Sequence, residues 1–274
     1  MLLMECRWMV LTSILTMRKE EIKIKDKIIL NYLMITFLIS YGLWGTIIIA
    51  NQFGYLKIKN PVCMSLLLLG AFGPTISSYI VQKKDGRISS LKDFIRKAFR
   101  FKDSVVSYSL VILFLVLYFI YPAIRGRVTL GIPIYLSVLM IPLMLFGGGM
   151  EEVGWRWVLQ PELEKIFPFG VATVITSLIW TFWHLPLFFI KGSSQSYVNF
   201  FAFLILLIGM SFAQATIYGY SKNIWLCALV HCSLNALPIT FVFEESVSIN
   251  IGISIIMVVG SLIVRQVLKK SITY

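Results

Sequence analysis

Charged residues are scarce in this chain of 274 residues: they make up 14% of the sequence, whereas 58% of the residues are apolar. A soluble globular domain carries about 25% charged residues. A soluble core could not bury so much apolar sequence, so the composition excludes an ordinary soluble protein and indicates a polytopic membrane protein. The sequence has no linker, repeat or low-complexity stretch, and we expect a single membrane domain over residues 1–274.

Acidic residues are also few, with 13 against 25 basic residues, and the formal net charge is +12. In a soluble protein, this imbalance would suggest a nucleic-acid partner. Here the basic residues fall mostly in the short segments between apolar runs, which is the usual position of topology signals. We therefore expect the lipid bilayer, and no nucleic acid, to be the partner of the basic residues.

The chain has four cysteines, Cys6, Cys63, Cys227 and Cys232. No two of them have the CxxC spacing of a metal site, and their positions imply no disulfide framework. Cys232 directly follows His231, but neighbouring residues of a helix point about 100° apart. We therefore do not expect this cysteine to act as a nucleophile with the histidine.

Hydropathy predicts an all-α fold, a transmembrane helix bundle of about eight spans. The predicted spans are 28–50, 62–82, 104–121, 129–149, 170–190, 199–219, 223–243 and 249–268. Residues 1–27 are predicted to form a cytoplasmic N-terminal segment. Between spans two and three, apolar residues recur at helical spacing within Ser89–Arg100, which predicts an amphipathic helix on the bilayer surface.

Basic residues are concentrated before the first span, between spans two and three, and at the end of the chain. An even number of spans places these three clusters on one side, which the positive-inside rule assigns to the cytoplasm. We therefore expect a multi-pass protein of the cell membrane with both termini in the cytoplasm. Glu151 and Glu152 are predicted to lie just beyond the cytoplasmic end of span four, in a site that opens towards the cytoplasm.

Histidine is rarer still: the chain has two, His184 and His231, and both lie in apolar stretches long enough to cross a membrane. Ionisable groups are costly in hydrocarbon, so they are rare there and usually functional. A third polar cluster, formed by Glu151, Glu152 and Arg156, directly follows an apolar run. Two carboxylates, one guanidinium and two imidazoles suggest one buried polar site.

Spacing predicts which side chains act together. Glu152 and Arg156 are four residues apart and share a helix face, so they can pair and leave Glu151 free to accept a proton from water. His231 and Asn235 have the same spacing and can both donate to an oxyanion that develops in acyl transfer. Each cluster alone also fits a structural role, such as a solvated helix start or an interhelical hydrogen bond.

Together the clusters resemble the CAAX prenyl protease 2-like membrane proteins, also called the CPBP or Abi family, whose ordered motifs are EExxxR, FxxxH and HxxxN. Within about residues 145–240, the corresponding residues are Glu151, Glu152 and Arg156, then Trp180 and His184, then His231 and Asn235. Trp180 stands where phenylalanine is usual. Both side chains are large aromatics, so we expect the packing to be kept.

The resemblance implies a glutamate-dependent intramembrane peptidase without metal or other cofactor. Glu151, assisted by His184, would activate water for attack on the scissile carbonyl. His231 and Asn235 would stabilise the tetrahedral oxyanion, and the neighbouring Glu–Arg pair would orient the site. Eukaryotic members cleave prenylated CAAX proteins, and bacterial members are linked to peptide maturation and bacteriocin immunity. For this chain we expect a peptide or membrane-protein substrate.

Three alternatives stay open. A zinc metallopeptidase would use histidine and glutamate ligands, but the chain has no HExxH, and its ligands would come from three separate helices. A transporter or proton relay would spread polar groups along a path, whereas here they cluster in the second half. A membrane immunity or regulatory protein could keep the same fold without depending on catalysis.

Overall fold

The computed structural model describes residues 2–244 and 246–268, with side chains described from residue 27 onward. Within these ranges the chain is almost entirely helical, and its one small sheet pairs β1 (Thr129–Leu130) antiparallel with β2 (Phe241–Val242). The α-helices are α1 Leu2–Gln52, α2 Pro61–Ala71, α3 Gly73–Lys84, α4 Leu91–Ala98, α5 Val105–Ile124, α6 Ile134–Met144, α7 Glu152–Gly154, α8 Gln160–Glu164, α9 Phe169–Trp183, α10 Phe200–Ser221, α11 Ile224–Ala236 and α12 Val247–Val267. The predicted all-α membrane bundle is confirmed.

The helices of the bundle differ in how well their length matches a membrane span. Five helical stretches in the described chain are long and apolar enough to cross a membrane, namely Lys27–Gln52, Val105–Ile124, Phe169–Phe189, Phe200–Ser221 and Val247–Val267. Two helix pairs, α2 with α3 and α6 with Gly149–Glu164, add one span each if each bent pair crosses once. The predicted span 223–243 is helical only over Ile224–Ile239, which is shorter than the roughly 20 residues that cross a bilayer. By length and composition, the described chain thus has five to seven candidate spans, and α11 is a further, shorter apolar helix of the bundle.

The bend between α2 and α3 follows from close packing against α1. A Cβ on Gly70 would lie 2.2 Å from the indole nitrogen of Trp44, and a Cβ on Gly73 would lie 2.2 Å from the hydroxyl oxygen of Ser40. The hydroxyl of Ser40 donates to the carbonyl of Gly70 at 2.7 Å. The two helices meet at 40°, so the predicted continuous span 62–82 is divided in two.

The amphipathic helix predicted within Ser89–Arg100 is present as α4. Its apolar residues do not all face the same surroundings. Phe94 is buried and stacks on Trp157, with ring centroids 5.2 Å apart, whereas Ile95 is about half exposed. Part of the apolar stripe therefore anchors α4 to the bundle.

Helices α10 and α12 pack closely, and polar side chains join them. A Cβ on Gly209 would lie 2.8 Å from the Cα of Ser254. The Ser254 hydroxyl donates to the carbonyl of Ile205, and the Asn250 amide donates to the carbonyl of Ala202 at 2.9 Å. Small residues and interhelical hydrogen bonds are the usual means of helix association in membranes.

We expect Gly209→Ala to destabilise the protein, because its methyl group meets the backbone of α12 and must push the helices apart. Overpacking of this kind typically costs about 1–3 kcal/mol. Gly42→Ala is the matched control, since a Cβ there has nothing within 4 Å and alanine is the better helix former. Thermal unfolding of the purified protein in detergent compares the two; equal melting temperatures would contradict the close approach.

Candidate active site

The two neighbouring glutamates lie inside a broken helical segment, which corrects their predicted position beyond the end of span four. Helix α6 ends at Met144, and after a turn the chain resumes helical structure that continues to Glu164. Gly148 in this turn has φ +156°, a value that residues with a Cβ rarely adopt. The glycine break thus places both carboxylates among the helices and away from the end of the bundle.

The segment that carries the carboxylates is irregular. A 3₁₀ turn, Gly149–Glu151, leads into the single turn of α7, and Trp155–Leu159 forms a π-helix before α8 begins. π-helical turns are rare and frequently occur at functional sites. Arg156 lies in this π-helix and still meets Glu152, as the four-residue spacing predicts.

Glu152 is fully buried, with a partner on each carboxylate oxygen. Nε of Arg156 donates to Oε2 at 2.8 Å, and Nδ1 of His231 lies 2.8 Å from Oε1. The guanidinium also donates to Gln214 at 2.8 Å and to Ser211 at 3.1 Å, both on α10. The predicted Glu152–Arg156 pair is therefore formed, and it ties the broken segment to α10 and α11.

Glu151 faces a different set of groups, one on α9 and one on the residue directly after it. The indole nitrogen of Trp180 donates to its Oε2 at 2.7 Å, and Nε2 of His184 lies 3.9 Å from the same oxygen. Trp180 therefore holds the carboxylate as well as packing beside it. A phenylalanine, the usual residue of the family motif at this position, has no such donor.

The orientation of His184 follows from its backbone contact. Its Nδ1 lies 2.9 Å from the carbonyl oxygen of Trp180, which can only accept, so Nδ1 carries the proton. In the neutral ring, Nε2 then presents a lone pair towards Glu151. A water molecule to one side of the line that joins Nε2 to the Glu151 carboxylate oxygen can lie about 2.8 Å from each atom, an ordinary hydrogen-bond distance.

His231 and Asn235 border a small space beside the glycine turn. A Cβ on Gly148 would lie 2.8 Å from Nε2 of His231 and 2.8 Å from Nδ2 of Asn235. These two nitrogens are therefore close together, as their spacing on one helix face predicts. The missing side chain of Gly148 leaves room for a small group next to both.

One cavity of about 650 Å³ brings the separate motifs together, because Glu151, His184, His231 and Asn235 all line it. Glu152 and Arg156 do not line it and lie behind the wall. Most of the remaining wall is apolar. The cavity reaches Ile58 and the segment 192–195, which lie at the opposite end of the bundle from the loop that carries α4. Part of the wall is therefore formed by loops at the end of the bundle away from α4.

None of the described cysteines lines the cavity. Cys63, Cys227 and Cys232 are buried free thiols, and Cys6 lies outside the side chains that the structure describes. Within the same part of the chain, no three histidine, cysteine, aspartate or glutamate side chains form a group that could hold a metal ion.

Several contacts at the site were not predicted. Gln214 and Ser211 on α10 bind the guanidinium of Arg156, and the indole of Trp180 binds Glu151. A glutamine within an apolar span is itself an unusual residue and is a signal that could have identified Gln214. The donor role of Trp180 has no signal in the local sequence, because it depends on contact with another helix.

Comparison with known proteins agrees with the motifs. Residues 133–237 match the family model described as "Type II CAAX prenyl endopeptidase Rce1-like". The chain is 26% identical over 181 residues to CAAX prenyl protease 2 of Methanococcus maripaludis, in an alignment that covers 60% of this chain and 64% of that protein. The alignment thus spans slightly less than two thirds of the relative. The predicted family resemblance is confirmed.

Removal of the guanidinium would leave the carboxylate of Glu152 buried with one partner fewer. We expect Arg156→Met to destabilise the protein by about 3–5 kcal/mol, the usual cost of breaking a buried ion pair from one side. Thermal unfolding in detergent measures the loss. Arg96→Met is the matched control, because the side chain of that arginine is largely exposed where it pairs with Asp93, and an exposed ion pair contributes about 0–1 kcal/mol. Similar shifts for both variants would argue against the buried network as a stabilising element.

Proposed function

We propose that this protein is an intramembrane endopeptidase that hydrolyses a peptide bond with a water activated by Glu151 and His184. The observation that carries the proposal is the convergence of a carboxylate, two imidazoles and an amide on one cavity of about 650 Å³. The match of residues 133–237 to a family of prenyl endopeptidases supports the same reaction class.

The first step is attack by water. A water in contact with Oε2 of Glu151 and Nε2 of His184, atoms 3.9 Å apart, can lose a proton to the carboxylate while the imidazole fixes its orientation. Its oxygen then adds to the scissile carbonyl. The carboxylic acid formed on Glu151 returns the proton to the leaving amine, so the proton balance closes over one turnover.

The second requirement is a site for the oxyanion. The amide of Asn235 is a donor as it stands, whereas His231 uses its Nδ1–H towards Glu152, at 2.8 Å. Nε2 of His231 donates only when the ring carries a second proton and a positive charge. Glu152 supplies the opposite charge, and the space beside Gly148 adjoins both donors. Donors fixed in place before the reaction stabilise the charge that develops in the transition state.

Glu152 and Arg156 act through other residues and are positioning residues in this proposal. Both are fully buried, and neither lines the cavity. Their ion pair holds His231 by its Nδ1 nitrogen, so the orientation of the ring depends on them. With Glu151 ionised and His231 protonated, the two carboxylates are balanced by one guanidinium and one imidazolium.

The cavity wall indicates the class of substrate. Apart from the reacting groups, it is formed mainly by large apolar side chains, among them Trp44, Leu68, Leu207 and Met210. Such a wall accommodates an uncharged stretch of polypeptide or a lipid attached to it. We therefore propose a peptide or membrane-protein substrate, and the name of the matched relative makes a prenylated CAAX peptide one probe to test.

We expect Glu151→Gln to abolish cleavage and leave folding intact, because the amide keeps the shape but cannot accept the proton. Glu244→Gln, the same change at an exposed glutamate, is the control. Two probes are used with the purified protein in detergent: a farnesylated CAAX peptide and an unmodified apolar peptide of equal length. Cleavage that persists in Glu151→Gln contradicts the mechanism. If neither probe is cleaved by the unchanged protein, a non-catalytic membrane role is favoured.

We expect Asn235→Ala to lower kcat by roughly 10²–10³ with little change in KM, because an oxyanion donor acts mainly in the transition state. Ser233→Ala on the same helix is the control, since Ser233 does not line the cavity. Steady-state kinetics with the cleaved probe separate kcat from KM. A rise in KM at unchanged kcat would place Asn235 in ground-state binding instead.

A further inference from the structure

The segment that joins α3 to α5 is strongly basic, and we call residues 83–104 the basic segment. It holds eight lysine and arginine residues and three aspartates, an excess of five positive charges. Every aspartate is paired within the segment. The pairs are Asp85 with Arg87, Asp93 with both Arg96 and Lys97, and Asp103 with Arg100. Lys84, Lys92 and Lys102 are exposed and take no part in these pairs, so the aspartates leave their charges uncompensated.

The basic segment is fixed to the bundle on both sides of α4. Before the helix, Arg87 pairs with the buried carboxylate of Glu162 at 2.6 Å. After it, Arg100 donates to the carbonyl of Ser221 at 3.0 Å. Phe94 of α4 itself is buried. The fold therefore holds the exposed charges of the segment in defined positions.

Short connections also keep α4 at the level where its neighbouring helices end. Six residues, 85–90, separate it from α3, and six more, 99–104, separate it from α5. Helix α5 is a candidate membrane span, and α3 is half of a bent pair that forms another. Because both neighbours reach into the membrane, α4 lies in the interfacial region beside the bundle.

The exposed face of α4 carries an apolar row next to a basic row. Leu91 and Ile95 lie one turn apart and are 56% and 49% exposed. Lys92 and Arg96 form the adjoining row, and both are exposed. In an interfacial helix, apolar side chains of this kind enter the acyl-chain region, while neighbouring cationic side chains extend to the lipid headgroups.

We propose that α4 and the flanking lysines of the basic segment form a binding surface for anionic phospholipids, whose headgroup phosphates contact Lys84, Lys92 and Lys102. Charge complementarity identifies the partner, because clusters of about four to eight basic residues on an amphipathic helix or beside a span bind anionic headgroups. The apolar row formed by Leu91 and Ile95 favours a lipid over a soluble anion, which offers no acyl chain to cover it. This inference does not depend on the proposed hydrolysis.

The surface lies one layer of side chains away from the candidate active site. Phe94 stacks on Trp157 with ring centroids 5.2 Å apart, and Trp157 directly follows Arg156 in the chain. Val153, which directly follows Glu152, packs in the same apolar cluster as Phe94. We therefore expect lipid bound on α4 to stabilise the segment that carries the buried ion pair, and with it the whole bundle.

The test is thermal unfolding of the purified full chain in a nonionic detergent, with added phosphatidylglycerol or phosphatidylcholine of the same acyl chains. We expect phosphatidylglycerol to raise the melting temperature more than phosphatidylcholine does, because only phosphatidylglycerol carries a net negative charge. The combined variant Lys84→Gln, Lys92→Gln and Lys102→Gln should lose most of this difference. Added salt should reduce the difference in the unchanged protein, because salt screens exposed charges.

The matched control is the combined variant Lys57→Gln, Lys59→Gln and Lys191→Gln. It removes the same total charge from exposed lysines of other loops, so we expect it to keep the difference between the two lipids. If both combined variants lose the difference equally, net charge alone is responsible and the proposal is overturned. A full response in the variant of the basic segment would overturn it as well.

A soluble headgroup separates lipid binding from phosphate binding. Glycerol phosphate is added at the phosphate concentration used for phosphatidylglycerol, and we expect it to leave the melting temperature nearly unchanged. A shift as large as that produced by phosphatidylglycerol would assign the surface to soluble phosphates and contradict a lipid site. Since unfolding is measured without any substrate, none of these outcomes bears on the proposed peptidase chemistry.

Discussion

The buried ion pair between Glu152 and Arg156, extended to His231, is the interaction on which the rest of the site depends. Burying two charged groups away from water costs free energy unless each group is paired and hydrogen-bonded. Here both carboxylate oxygens have partners, and the guanidinium also reaches two polar side chains of α10. The network therefore joins the broken segment to α10 and α11. In doing so, it sets the orientation of the one histidine that faces both Glu152 and the space beside Gly148.

A glycine turn separates α6 from the helical segment that carries Glu151 and Glu152. The turn at Gly147–Gly149 redirects the chain by 43° into this second segment. The same turn leaves open the space that adjoins His231 and Asn235. One irregular stretch of backbone thus positions the carboxylates and shapes the wall of the cavity.

Helix α1 supports the site although it contributes none of the motif residues. The Ser40 hydroxyl accepts from the indole of Trp183 at 2.7 Å, and Trp44 packs against the same ring. Trp183 lies beside His184, with ring centroids 4.7 Å apart. The position of the histidine is therefore fixed both by its own backbone contact and by an aromatic layer that reaches the first span.

The sequence by itself determined the membrane class, the helical fold and the residues of the candidate site. Each of these depends on composition or on spacing within one helix, as with Glu152 and Arg156, which are four residues apart and pair at 2.8 Å. The tertiary structure alone decided that Glu151 meets Trp180, 29 residues away, and that Glu152 meets His231, 79 residues away. It also decided how many spans are broken and which loops form part of the cavity wall. These features depend on helix bends and on contacts between distant helices, and local spacing contains no information about either.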